Sequence, residues 1–363
     1  MQIKKLIRNK TSETWKFLSV YSAFYKSHKK IYNSPDFKKI SLTKEEKREY
    51  RDYWKTISPI MSFKTVEISK SLSGIFNKHV IPEEFFPLYV EYSLNTDRST
   101  NFLTNKSIYN KWFGKGVFPK DFFHKFDDSY YTYEFGIIEN IEEFIDKTIS
   151  EADFPIVIKP NKGSYGGKDI YFVNNKEEIK SIIKQHPNLV VQEKIEQSES
   201  INLFNKDSVN TVRACLYKDD NGVMHMLNAS LRMGKDGSLD NMTAGGIVCS
   251  INSKGMLNKY ANDIRAKKYL EHPNSGFVFE NHEFPLYQDL VEVSKSVANA
   301  VIGARLISLD MALDSNEKWR CIELNVNGQT IEFPQNAGEA FLGEYTDEVM
   351  NKISNRNHKI AIR

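Results

Sequence analysis

Hydrophobic and polar positions change rhythm along this chain. Residues 1–60 are polar and helix-like, with ten aromatics among them. SLTKEEKREYRDYWKTI predicts a helix that starts at an N-cap, Ser41 or Thr43, with acids in its first turn. Tyr50, Tyr53 and Trp54 then share one face. Residues 61–150 are mixed. Pro82 and Pro87 bracket a loop-prone stretch, and LTNKSIYNKWF (103–113) reads as the start of a helix. From about residue 154 apolar runs of strand length take over. FPIVIK and DIYFV predict a hairpin across the loop KPNKGSYGGKDI (159–170). KEEIKSIIKQ is an amphipathic helix, and NLVVQEKI, TVRACLY, MHMLNASLRM and GGIVCSI read as strands. LYQDLVEVSKSVANAVI (286–302) is a long helix. RLISLDMAL and KWRCIELNVN pair around the turn DSNEK. The pattern is α+β, without internal repeats or low-complexity segments.

Composition changes this picture little, but charge does. The 363 residues carry a formal net charge of +3, too small to attract nucleic acid as a whole. Residues 1–60 hold 15 Lys and Arg against 6 Asp and Glu. The aromatic, basic helix there either docks on the body or touches a membrane surface or anionic polymer. The N-terminus lacks the apolar stretch of a secretory signal, and no run of about 18 apolar residues predicts a membrane span. A cytoplasmic location is the expectation. Cys215, Cys249 and Cys321 are far apart, with no CxxC, and read as reduced core thiols rather than zinc ligands. The eight histidines have no triad partner.

The glycine loop fails two phosphate motifs. Lys162 stands where a G-x-x-x-x-G-K-[ST] loop needs its first glycine, and Asp169 follows Lys168. Gly163, Gly166 and Gly167 do not fit G-x-G-x-x-G either. Its physics still suits phosphate: glycine exposes backbone N–H groups, and lysine supplies mobile positive charge. A lysine-solubilised surface hairpin is the competing reading.

Distant acids bear on that choice. Asp310 ends LISLD, and Glu323 and Asn325 follow in CIELNVN. Alternation places Glu323 and Asn325 on one strand face, and the DSNEK turn brings Asp310 opposite them. Three oxygen donors on one face suit Mg²⁺, and acids inside apolar strands are costly without a partner or a metal.

Taken in order, VIKP, GSYGGK, VVQEKI, NTVRACLY, SLRMGKDGSLDNMTAGG and D-x12-E-x-N make residues ~103–345 resemble the ATP-grasp superfamily. Within it, the NTVR segment (210–213) and the helical basic N-terminus are similar to sugar-transfer-associated and teichuronopeptide-biosynthesis-like members. The resemblance implies an ATP-grasp fold with a helical N-terminal region (1–100), an N-terminal lobe with a glycine flap (101–195) and a C-terminal lobe with a metal site (196–363). It implies ATP and Mg²⁺ as cofactors. Lys159 matches a phosphate-contacting lysine, and Gly163, Ser164, Tyr165, Gly166, Gly167 and Lys168 match the flap. Glu193 matches the hinge residue near the adenine, with Gln192 before it and the backbone of Lys194 and Ile195 beside it. Asp310, Glu323 and Asn325 match the metal ligands. Arg213 matches a basic residue at the transferring phosphoryl group, and Arg232 and Asn241 look like acceptor-side residues. An earlier phosphate-binding lysine corresponds to Lys111 or Lys106, and the ribose-binding acid to Glu199 or Glu196. Position 308 is Ser where some relatives carry arginine, which leaves Arg213 and Arg232 to stabilise the transition state.

The implied reaction is carboxylate activation: ATP gives an acyl phosphate and ADP, and an amine displaces phosphate. In-line positioning and charge neutralisation supply most of such catalysis. The family likeness suggests a carboxylate on a small molecule or glycan precursor, amide formation with an amine such as an amino acid, and a role in cell-surface polysaccharide or capsule biosynthesis. The competing functions are an ATP-grasp kinase and a non-catalytic nucleotide-binding protein of a glycan-assembly complex.

Overall fold

The computed structural model describes residues 2–163 and 169–355, with side chains from residue 14 onward. Helices α1 (Gln2–Tyr32), α2 (Lys44–Trp54) and α3 (Lys64–Ser73) open the chain. At the start of α2, Thr43 Oγ1 accepts the Glu46 amide (3.1 Å) and the Glu46 carboxylate accepts the Thr43 N–H (2.7 Å). Each side chain thereby satisfies a backbone donor that a first turn leaves open. Tyr50 and Trp54, one turn apart, are fully buried. Their polar tips donate to Val80 O (3.0 Å) and Lys78 O (2.8 Å). The aromatic face of α2 is therefore packing surface. The core that receives it is shared: Trp54, Phe85 and Tyr89 cluster with Cys215, Tyr217 and Leu306, which lie far along the chain.

The next stretch is helical only in pieces. A π turn (Phe86–Val90) leads into α4 (Glu91–Leu94). Two 3₁₀ turns (Arg98–Thr104 and Lys106–Ile108) precede α5 (Tyr109–Trp112). The helix expected over 103–113 is interrupted at Asn105, whose side chain accepts the Ser107 amide (3.1 Å). Asparagine competes for the backbone in this way and restarts the turn.

The first sheet is antiparallel. It contains β1 (Asp121–Phe126), β2 (Ser129–Thr132), β3 (Ile137–Ile138), β4 (Ile156–Pro160), β5 (Tyr171–Val173) and β6 (Asn188–Glu193), in the order β3-β2-β1-β6-β4-β5. Helices α6 (Ile141–Thr148) and α7 (Lys176–Gln185) bury Ile145, Ile179 and Ile183 against Phe123, Ile156, Ile158, Leu189 and Val191. β4 and β5 form the predicted hairpin, with Ile158 opposite Tyr171. Alternation turns Lys159 and Gln192 to the face that those helices do not cover.

After α8 (Glu199–Asn202) comes a seven-stranded antiparallel sheet. Its strands are β7 (Thr211–Lys218), β8 (Met224–Met233), β9 (Ile247–Ile251), β10 (Leu257–Asn262), β11 (Lys268–Tyr269), β12 (Leu306–Leu313) and β13 (Trp319–Asn325). They run in the order β11-β10-β9-β8-β7-β12-β13. Helix α9 (Tyr287–Asn299) packs on one face, in a core with Val212, Ala214, Leu231, Ile307, Leu309 and Met311. The opposite face is divided. Cys215, Tyr217 and Leu306 sit in the core shared with α2, and α10 (Glu332–Asn336) and α11 (Thr346–Ser354) close the chain beside it. The other half of that face carries Arg213, Arg232 and Asp310.

One irregularity sets what β13 shows to each side. Asp310 pairs with Glu323, but Met311 pairs with Cys321, so Ile322 is skipped. Cys321 and Leu324 both enter the core although they are three apart. The extra residue reverses the alternation and brings Glu323 and Asn325 to the open face. All three cysteines are buried and unpaired, and burial pushes the Cys215 thiol up to about 12.

Candidate active site

Cross-strand register assembles the second sheet's share of the site. Asp310 lies opposite Arg213 on one side and Glu323 on the other, and Arg232 lies opposite Thr211. Asp310 is buried, at 4% exposure. Arg213 forks onto both of its oxygens (2.5 and 3.0 Å), and Arg232 Nη1 reaches both at 3.2 Å. Burial alone would raise the Asp310 pKa, but the two guanidiniums bring it below the ordinary value. Arg232 also binds Asp240 through Nη2 (2.7 Å) and Nε (3.2 Å), and the Thr211 hydroxyl donates to the same Asp240 oxygen. Asp240 opens a loop that returns at Gly245 and Gly246. Gly245 adopts φ +113°, and a Cβ on Gly246 would lie 2.6 Å from the Asp240 carbonyl, so both positions demand glycine.

The first sheet contributes cations. Lys159 is buried, and its pKa falls to about 8 through burial first and the Lys106 charge second, against the pull of Glu323 and Asp121. Lys106 is 2% exposed, and its Nζ sits 2.7 Å from Glu323 Oε1. Its backbone N–H donates to Asn161 O (2.8 Å), which ties the 3₁₀ turn to the end of β4. Asp121, opposite Gln192 on β6, accepts from Gln192 Nε2 (2.6 Å) and Asn110 Nδ2 (2.8 Å). Burial raises its pKa to about 6. The cleft between the sheets thus holds two buried ammonium groups: Lys106, paired with the partly exposed Glu323, and Lys159, drawn by Glu323 and Asp121 but without an ion pair of its own among the described residues.

Several buried polar atoms here have no partner among the described residues: Asn161 Nδ2, Gln192 Oε1, Ser230 Oγ and Ser308 Oγ. Buried polar groups are normally paired, and unpaired ones near a cleft are those that a ligand satisfies. Asp310, Glu323 and Asn325 share one face and offer hard oxygen donors, which suits Mg²⁺. Glu323 has room for a cation, with its side chain 29% exposed. Asp310 fits on one condition: its oxygens already accept four guanidinium contacts, so a metal must share them or displace one.

The other expected residues fall as follows. Gly163 has φ +73°, the left-handed conformation that a turn into a loop needs. Ser164, Tyr165, Gly166, Gly167 and Lys168 lie outside the described residues. Lys111 is exposed on α5, whereas Lys106 stands in the cleft. Gln192 is buried beside Asp121. The Glu193 carboxylate is engaged by Arg320 (2.7 Å) and the Lys120 amide (2.8 Å), so it fastens β6 to β1 and β13. Lys194 and Ile195 continue from it as the crossing between sheets. Glu199 is an exposed first-turn residue of α8, and Glu196 is exposed as well, its carbonyl bound by the Ser315 amide. Asn241 caps the turn Met242–Ala244, accepting from the Thr243 amide (2.9 Å) and hydroxyl (2.8 Å). Sequence reasoning did not single out Asp121, Asn110 or Asp240. An acid opening the apolar strand DFFHKF was the available signal for Asp121.

Residues 177–351 match the family described as sugar-transfer associated ATP-grasp. A curated protein of Mycoplasma pneumoniae (strain ATCC 29342 / M129 / Subtype 1), the uncharacterized protein MG011 homolog, is 32% identical over 156 residues. That match covers 40% of this chain and 52% of the relative, so the chain spans about half the length of the curated protein it matches. Among solved structures, the VanG D-Ala:D-Ser ligase of Enterococcus faecalis aligns at 15% identity and TM-score 0.43, over 70% of this chain and 63% of that one. Biotin carboxylase of Campylobacter jejuni aligns at 12% identity and TM-score 0.43, over 70% and 47%.

Proposed function

We propose that this protein, whose residues 177–351 match the sugar-transfer associated ATP-grasp family, is an ATP-dependent carboxylate–amine ligase. One observation carries the reading. Lys106 and Lys159 are buried together and repel one another; Glu323 pairs with Lys106, while Lys159 feels Glu323 and Asp121 but has no ion pair among the described residues, a cationic site that a polyphosphate would balance. The nucleotide tail lies in this reading between Lys159 and Lys106 on one side and the Asp310–Glu323 pair on the other. The stretch Gln192–Ile195 borders the base. Asp310, Glu323 and Asn325 would hold Mg²⁺, which when bound neutralises charge on the phosphate oxygens. Arg213 and Arg232 stand beside Asp310 as fixed donors for charge that develops on the transferring phosphoryl group. The acceptor carboxylate then belongs near Arg232 and the glycine turn at 245–246. The family description points to sugar transfer, and on that basis the proposed acceptor is a carboxylate on a sugar or glycan precursor, such as a uronic acid, in cell-surface polysaccharide synthesis.

The test is ADP release from a panel of carboxylates, including uronic acids and nucleotide-sugars, crossed with amino acids and other amines. Release that requires both partners supports the ligase. Release with one partner alone, leaving a stable phosphate ester, replaces it with a kinase.

Lys159 gives a sharper prediction. Lys159→Met weakens ATP binding by about 1.5–3 kcal/mol, roughly tenfold to a hundredfold, the worth of a charge-assisted contact. Because the Lys159 ammonium loses its proton near pH 8, wild-type affinity falls from pH 7 to pH 9, and the variant lacks that decline. Calorimetry at the two pH values reads both effects, and unchanged affinity in the variant removes Lys159 from the nucleotide site.

A further inference from the structure

Helix α1 has two faces of different use. Phe17, Val20, Tyr21, Phe24, His28 and Ile31 recur at helical spacing and turn toward the body. His28 is 1% exposed, and its ring bonds to Glu83 at 2.9 Å. The outward face is not an ordinary solvated one. Trp15 is 74% exposed and Leu18 58%, while Tyr25, 48% exposed, already has Lys64 Nζ of α3 3.4 Å over its ring. At 100° per residue these three fall within an arc of about 80°, and Lys29 lies inside it. Lys26 and Lys30 lie just beyond its Trp15 edge, about 20° and 60° from Trp15.

The charge of this helix is one-sided. Residues 2–32 contain eight lysine and arginine residues and a single acid, Glu13. Lys26, Lys29 and Lys30 are exposed and make no ion pair among the described residues. The remaining outward positions, Ser19, Ser22, Ala23 and Ser27, are small and let the large side chains project. Large apolar groups held in water mark a contact surface, and aromatic and aliphatic anchors among lysines are the make-up of a helix lying in a headgroup layer. No helix among the described residues is long and apolar enough to cross a membrane, so the contact is in-plane.

We propose that the outer face of α1 docks on an anionic lipid surface. Trp15 and Leu18 enter the boundary between headgroups and acyl chains, and Lys26, Lys29 and Lys30 pair with lipid phosphates. Charge complementarity selects an anionic partner, and Leu18 selects lipid over a soluble polyanion, which has no apolar layer to receive it. This inference is independent of the ligase reading.

The experiment is co-sedimentation of the full chain with phosphatidylglycerol–phosphatidylcholine vesicles and with phosphatidylcholine vesicles, at low and at molar salt. The expected result is binding to the anionic vesicles at low salt, loss at molar salt and none to the neutral ones. Trp15→Ser/Leu18→Ser and Lys26→Glu/Lys29→Glu/Lys30→Glu, each with wild-type circular dichroism, lower that affinity at least about tenfold. Absence of binding to anionic vesicles overturns the proposal. So does vesicle binding unchanged by Trp15→Ser/Leu18→Ser, accompanied by lysine-dependent binding to soluble polyglucuronate, which makes the partner a glycan. A wild-type dimer that Trp15→Ser/Leu18→Ser converts to a monomer, with no vesicle binding, makes the partner a second copy and overturns it equally.

Discussion

Glu323→Gln lowers ADP formation by about 10²–10³-fold while leaving the far-ultraviolet spectrum unchanged. Glutamine is the informative replacement. Glu323 Oε1 is the partner of Lys106 Nζ at 2.7 Å, and Lys106 is almost wholly buried. Alanine would leave that ammonium with neither a counter-charge nor an acceptor at Glu323, and lost activity would then be confounded with lost stability. The amide keeps an acceptor for Lys106 and removes only the negative charge at the face shared with Asp310. ATP turnover is measured by coupled ADP release, and melting is followed in parallel. Wild-type turnover in Glu323→Gln would remove Glu323 from the chemistry and, with it, the proposed cation site.

Arg232→Met destabilises the fold by about 3 kcal/mol. Its guanidinium is buried and spans two carboxylates, Asp240 at 2.7 Å and Asp310 at 3.2 Å. Methionine fills similar space but leaves Asp240 with only the Thr211 hydroxyl among its side-chain partners. Asp310 retains Arg213, so the larger share of the loss arises at Asp240. Arg232→Met/Asp240→Asn therefore regains part of the stability, since a neutral amide is less costly to bury than an unpaired carboxylate. Urea midpoints for the two variants and the wild type measure this. Equal midpoints for the single and double variants would show that Asp240 does not carry the penalty.

Local signals made some of this legible in the sequence. The capping box at Thr43 and Glu46 acts within one turn, and the β4–β5 hairpin joins neighbours in the chain. The thirteen-residue separation of Asp310 and Glu323 resolves into a strand pair because the turn between them is short. What escaped depends on register between distant strands. Asp310 is held by Arg213, 97 residues away, and Arg232, 78 away. No local pattern states that β7 lies between β8 and β12. Spacing alone does not separate Lys106 from Lys111: the Asn105 cap starts a 3₁₀ turn that carries Lys106 into the cleft, and Lys111 lies exposed on α5. Glu193, matched in sequence to the hinge residue near the adenine, has its Oε1 bound by Arg320 and the Lys120 amide, partners that no local pattern around it states. Large side chains of the N-terminal 100 residues, Trp54, Phe85 and Tyr89, share a core with Cys215, Tyr217 and Leu306, a long-range contact that no local pattern states.

The skipped residue at Ile322 gives β13 something like a reading frame. Before it, odd-numbered side chains face the core; after it, even-numbered ones do. Pairing the same strand without the bulge, with Ile322 opposite Asp310, would exchange the two sets from there on, sending Glu323 and Asn325 inward and Leu324 into the cleft. The composition of the strand would not change, yet the chemistry would vanish. The interval between the two acids is thus set by the bulge as well as by the number of residues that separate them.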